Sequence, residues 1–169
     1  MLLLHSTSGM SGSSAQASLI FGSPIQNFTS VEELQEALQR LGFDLQLLQL
    51  QGGSLSGRML FLDLSPLRLV RLQLNRRVHG LGPKPKGVLT ISLDLDPQPR
   101  ELPFLSHGQA LSNDSLFGLD LSREVHLTLP TTVTLGLVFL PLQALARWAE
   151  SMGWPGFLGE LEPSTNVLT

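Results

Sequence analysis

From Phe43 onward, apolar and polar residues alternate along the chain. Leu45, Leu47 and the Leu48/Leu50 pair are separated by Asp44, Gln46, Gln49 and Gln51, and Gly52-Gly53 follows. This is the period-two pattern of a half-buried strand that ends in a turn. The slip at Leu47-Leu48 predicts a bulge. Met59 to Leu64 and Leu67 to Leu74 read as two further strands joined by Ser65-Pro66, so the three are expected to form a meander. Gly80 to Gly87, with Pro83 and Pro85, reads as a loop. The clearest strand is Val88 to Asp96: Leu89, Ile91, Leu93 and Leu95 share one face, Thr90, Ser92, Asp94 and Asp96 the other, and the leucine face is expected to be the buried one. Short strands follow at Leu102 to Leu105, Gln109 to Leu111, Leu116 to Leu119, Val125 to Leu129 and Thr132 to Leu140. Many short strands at near-regular spacing predict a sandwich or barrel.

Two segments carry the helical period instead. Ser30 and Glu33 have capping-box spacing, and Val31, Leu34, Leu38 and Leu41 repeat on one face before Gly42, which predicts a helix over 31–41. Pro141 suits a first helical position, and Leu142, Leu145, Ala146, Ala149 and Met152 recur at helical spacing up to Gly153. Trp148 on this helix and Trp154 beyond it fit a pocket lid or a partner-binding edge, with packing against the sheet as the expected role.

A chain of 169 residues is long enough for one core and too short for two ordinary domains. Residues 1–18, rich in Ser and Gly, are expected to form a flexible arm, 19–154 the domain, and 155–169 a linker toward a further region. With 11 basic and 14 acidic residues the net charge is −3, the wrong sign for a domain that grips phosphates directly. A charged content of 15% is low and points to surface covered by the chain itself or by a partner. No cysteine is present, which excludes disulfides, thiolate metal sites and cysteine nucleophiles. Met1 to Leu4 lacks the flanks and length of a secretion signal, and Leu135 to Leu142 is far too short to span a bilayer. No membrane association and a cytoplasmic location are therefore expected.

The histidines are His5, His79, His107 and His126, without a His-x-His pair, and with Glu101 they stand at spacings that match no metal motif. Surface or loop histidines are the expected reading, so no metal and no cofactor are assigned. Gly9-Met10-Ser11-Gly12 lies in the arm rather than at a nucleophile elbow. The run Gly52 to Gly57 lacks the Lys-Ser/Thr pair and following helix of a phosphate loop. Basic residues gather at Arg68, Arg71, Arg76, Arg77, Lys84 and Lys86; these fit an anion site or a solvated sheet face, and no aromatics interleave with them. The chain is expected not to be an enzyme. Arg71, Gln73 and Asn75 share a strand face with Leu67 and Leu69, which fits polar groups pointing into a small-molecule cavity. From pattern alone the candidate ligand-binding residues are Phe61, Arg71, Gln73 and His126.

The order of these features resembles the N-terminal sensor domain of AraC/XylS-type transcriptional regulators. The likeness runs through Phe28-Thr29-Ser30-Val31-Glu32-Glu33-Leu34, Leu47 to Gln51, Gly52-Gly53-Ser54-Leu55-Ser56-Gly57-Arg58, Leu67-Arg68-Leu69-Val70-Arg71, the Gly80 to Gly87 loop and Val88 to Leu93. It covers most of residues 24–154 and rests on the order of features rather than on a diagnostic motif. The resemblance implies a mainly β, cupin-like or jelly-roll barrel with a short N-terminal helix and a C-terminal helix packed on it. It also implies a small-molecule effector, a homodimer, and promoter DNA bound only through a helix-turn-helix region outside this sequence. A cupin-type metalloenzyme and a protein-interaction module are the alternatives.

Overall fold

The computed structural model describes residues 24–97, 99–160 and 166–168; the expected arm at 1–18 lies outside them. The chain is mainly β, with two antiparallel sheets. β1 (Ile25–Phe28) leads into α1 (Val31–Arg40), whose start follows the sequence signal. Ser30 is extended and its hydroxyl accepts from the Glu33 N–H at 3.2 Å. The Glu33 carboxylate reaches back to the Thr29 N–H at 2.6 Å, so the box closes one residue earlier than the usual pattern. Leu34, Ala37 and Leu38 form the buried face of the helix.

The larger sheet has the order β1, β3 (Gly57–Leu64), β4 (Leu67–Leu74), β11 (Val133–Pro141), β6 (Val88–Asp94), β9 (Leu116–Phe117) and β12 (Val167–Leu168). The smaller has the order β2 (Gln46–Gln49), β5 (Val78–Gly82), β10 (Val125–Leu129), β7 (Leu105–Ser106) and β8 (Gln109–Ala110). Met59, Leu72, Leu135 and Leu137 of the first sheet and Leu45, Val78 and Leu129 of the second belong to one buried cluster, so the sheets face each other across the core. Among the described residues no strand pairing joins the two sheets, and they do not close into a continuous barrel. Where β1 crosses β3, a Cβ on Gly57 would stand 2.1 Å from the Gln73 carbonyl oxygen and 2.3 Å from the Phe28 ring, so only glycine fits.

Several sequence expectations change. β3 and β4 pair as predicted, but β2 leaves the meander for the other sheet, where it pairs with β5. Its ladder runs Gln46↔Leu81 to Gln49↔Val78 without a bulge at Leu47-Leu48; Leu47 turns to the core and Leu48 is 60% exposed. The expected loop at Gly80 to Gly87 begins as β5, with Gly80 letting Leu47 and Leu45 approach its backbone.

The fourth change matters most. Thr90, Ser92 and Asp94 lie opposite Phe139, Leu137 and Leu135 across the β6–β11 ladder, so the polar face of β6 looks into the core. Leu93 and Leu95 face outward, with Leu95 46% exposed. Leu89, also outward, is buried at the end where α2 (Leu142–Ser151) follows β11, together with Leu145 and Ala149 of that helix. Trp148 and Trp154 do not pack into the sheet. Both are half-exposed and meet edge to face at 5.9 Å, with Phe157 of the short α3 (Phe157–Glu160) 6.2 Å from Trp154. Within the expected linker, Val167 pairs with Phe117 and so adds β12 to the larger sheet. Among the described residues no helix is long and apolar enough to cross a membrane.

Candidate functional site

Between the sheets lies a cavity of about 90 Å³. Its wall is largely apolar, built from Leu34 and Leu38 of α1, Phe43, Leu45 and Leu47, Leu72 of β4, Val78 of β5, Leu127 and Leu129 of β10, and Leu135 and Leu137 of β11. One side is polar. Lys84, Thr90, Ser92, Ser106, His107, Gly118 and Asn166 come together there from segments far apart in sequence. The exposed Glu124 and His126 also line the cavity and mark its mouth.

A hydrogen-bonded web holds the polar side in place. Lys84 Nζ donates to the carbonyl oxygens of Gly118 at 2.9 Å and Asp120 at 2.5 Å. The Asp120 N–H donates to Asn166 Oδ1 at 3.2 Å, Asn166 Nδ2 donates to Ser106 Oγ at 3.4 Å, and Ser106 Oγ lies 3.1 Å from His107 Nδ1. The Asp120 carboxylate accepts from the N–H and hydroxyl of Ser122 at 2.8 and 2.7 Å and pairs with Arg123 Nε at 3.2 Å. Burial pulls its pKa upward, and the Ser122 hydrogen bonds with the Arg123 and Lys84 charges outweigh that pull, so the carboxyl titrates below its ordinary range. Burial lowers the Lys84 ammonium from the ordinary lysine range; Asp120 opposes the shift and Arg123 adds to it.

Thr90 is only 3% exposed, and its Oγ1 has no hydrogen-bond partner among the described residues. A buried hydroxyl left in this state costs about 1–3 kcal/mol, which makes it a group poised for a partner that enters the cavity.

Beside the mouth three histidines stand in a row. The His79 and His126 rings meet edge to face at 5.0 Å and the His126 and His107 rings at 5.5 Å. His79 Nδ1 is 2.9 Å from Thr128 Oγ1. Burial lowers the pKa of His79 and His107 below the ordinary 6.5. His126 adds to the shift at His79. At His107 the Arg123, His126 and Lys84 charges add to it, while a hydrogen bond with the Glu124 backbone opposes it. Among the described residues no group of three or more His, Asp or Glu is arranged to hold a metal ion.

No family model, curated protein or solved structure matches the chain.

Of the residues singled out from sequence, His126 lines the cavity. Phe61 is buried in the core but is not part of the lining. Arg71 and Gln73 lie on the outer face of the larger sheet: Arg71 is exposed opposite Leu60 and Gly136, and Gln73 accepts from Arg58 at 2.9 Å. Thr90, Ser92 and Asn166 were not signalled by sequence. Lys84 was, as one of the basic cluster, but without a sign that it lines the cavity.

Proposed function

We propose that this chain is the effector-sensing part of an AraC-type transcription regulator, whose DNA contacts reside in a helix-turn-helix region outside this sequence. The two sheets serve as the halves of a cupin-like jelly roll, and the cavity between them receives a small molecule. The observation that carries this reading is the unpartnered, buried Thr90 hydroxyl in the polar wall of an otherwise apolar cavity, the makeup of small-molecule sites.

The test has two stages. A broad small-molecule library is screened for compounds that raise the melting temperature of the chain, since any ligand that binds only the folded form must stabilise it. The full open reading frame is then expressed, and its binding to its own promoter is measured with and without those compounds. A change in DNA affinity is the expected result. A product without a DNA-binding region, or DNA binding indifferent to every stabilising compound, overturns the proposal.

A second reading, a protein-interaction module, draws on the outer face of β3, where Leu60, Leu62 and Leu64 are all 40–51% exposed on one side of the strand. Light scattering over a concentration series tests self-association through that face: a homodimer that Leu62→Lys dissociates supports it, and a monomer at all concentrations counts against it.

A further inference from the structure

We infer that the cavity takes a short carboxylic acid as its anion, with the carboxylate between Lys84 and Thr90 and a small apolar body against the leucine wall, an assignment that rests on the sensing role proposed above. A lysine ammonium has three N–H donors. Those of Lys84 are steered by two backbone carbonyls, Gly118 and Asp120, which fix its position without supplying a counter-charge. Among the described residues no carboxylate is in salt-bridge contact with it. The nearby Asp120 carboxylate is taken up by Ser122 and Arg123.

Thr90 supplies the second donor. Its hydroxyl is buried on the inward face of β6 and unpartnered, and its backbone carbonyl lies against Gly118, the residue whose own carbonyl anchors Lys84. One fixed ammonium and one hydroxyl without a partner among the described residues, both lining the same cavity, match the two oxygens of a carboxylate, and charge-assisted hydrogen bonds are the stronger kind. A neutral amide or alcohol would satisfy Thr90 and leave the ammonium without a carboxylate in contact, while an amine would be repelled. Glu124 adds negative charge at the mouth, but it is exposed and therefore screened by water and salt, whereas Lys84 is half-buried.

Size sets the rest of the ligand. A cavity of about 150 Å³ holds benzene, with its six non-hydrogen atoms, so by the same measure the 90 Å³ here encloses about four, which limits the ligand to a short acid whose end lies toward the mouth. Away from the polar side the wall, Leu38, Leu72, Leu135 and Leu137 among it, is apolar and suits a short hydrocarbon body.

The experiment compares butyrate, butyramide and butylamine, three near-isosteres of different charge, by calorimetry and thermal shift on the whole chain at matched ionic strength. Butyrate is expected to bind at least about tenfold more tightly than butyramide, and butylamine not at all. Lys84→Met is expected to abolish the preference for the acid, and Thr90→Val to weaken butyrate about tenfold without loss of fold. If Lys84→Met does not fold, the ranking on the unaltered chain still decides. Equal binding of butyrate and butyramide, or unchanged butyrate binding in Lys84→Met, overturns the assignment. If the acids fail while a neutral library compound binds, the anion assignment falls and the sensing role stands. If nothing in the library binds, both fall.

Discussion

Lys84 donates to the carbonyl of Gly118 at 2.9 Å, and Gly118 in turn presses against β6 so closely that a Cβ on it would stand 2.8 Å from the Thr90 carbonyl oxygen. Gly118 also has a φ of +90°, a region that side chains disfavour. Gly118→Ala must therefore strain the backbone or push the loop off the cavity wall. A loss of about 1–3 kcal/mol is expected, read as a lower denaturant midpoint. An unchanged midpoint would mean that the contact between this loop and β6 is slack.

The inward polar face of β6 ends in an ion pair. Arg100 grips the Asp94 carboxylate with both terminal nitrogens, one of them 3.1 Å from Oδ1, and its guanidinium lies 5.4 Å from the centre of the Phe104 ring. The Asp94 side chain is 3% exposed and that of Arg100 11%. Arg100→Met leaves a buried carboxylate uncompensated and is expected to cost about 3–5 kcal/mol, whereas Asp94→Leu combined with Arg100→Met should recover most of it. Equilibrium denaturation of the two single variants and the double variant checks this. Additive losses would show that the pair is not coupled.

The histidine row makes stability depend on pH in a defined direction. His79 and His107 have pKa values below 6.5 in the folded chain, so the unfolded chain binds protons there first as pH falls. Between 6.5 and the lower folded values the unfolded state carries more protons, and stability falls with falling pH. Below that window the histidine contribution is flat, and at still lower pH the Asp120 contribution is lost, because its folded pKa lies below the ordinary 3.8. Melting temperatures measured from pH 7.5 to 5 should decline, and His79→Gln with His107→Asn should flatten the decline. Asparagine is chosen at 107 because the residue there has a φ of +51°. A variant that keeps the full slope would place its origin elsewhere.

On α2 the burial pattern separates anchors from surface. Leu145 is 7% exposed and Trp148 51%. Leu145→Ala is expected to cost about 2–4 kcal/mol, and Trp148→Ala under about 1 kcal/mol despite the larger side chain. Thermal unfolding of the two variants compares them directly; a larger loss from Trp148 would place it in a core contact.

Sequence pattern located the ends of β4, β10 and β11 within a residue, and α1 and α2 within one or two, because each carries an apolar period bounded by a cap or breaker. β5 was hidden because Gly80 and Gly82, read as loop residues, are the positions where strand backbones come close: a Cβ on Gly82 would stand 2.3 Å from the Asp44 carbonyl oxygen. Of the candidate site, the pattern reached His126 and the basic cluster that contains Lys84.

Alternation within β6 is written in the sequence: Leu89, Ile91 and Leu93 on one side, Thr90, Ser92 and Asp94 on the other. Which side is interior is not, because a period of two says only that two faces differ. That choice came from the pairing of β6 with β11, where Leu135, Leu137 and Phe139 already face the opposing sheet and carry the β6 polar residues inward with them. The leucines then lie outside, with α2 over one end, and the polar residues become the wall of the cavity. Secondary structure followed from local period, whereas the site depended on contacts between segments as distant as Lys84, Gly118 and Asn166, which a local pattern cannot encode.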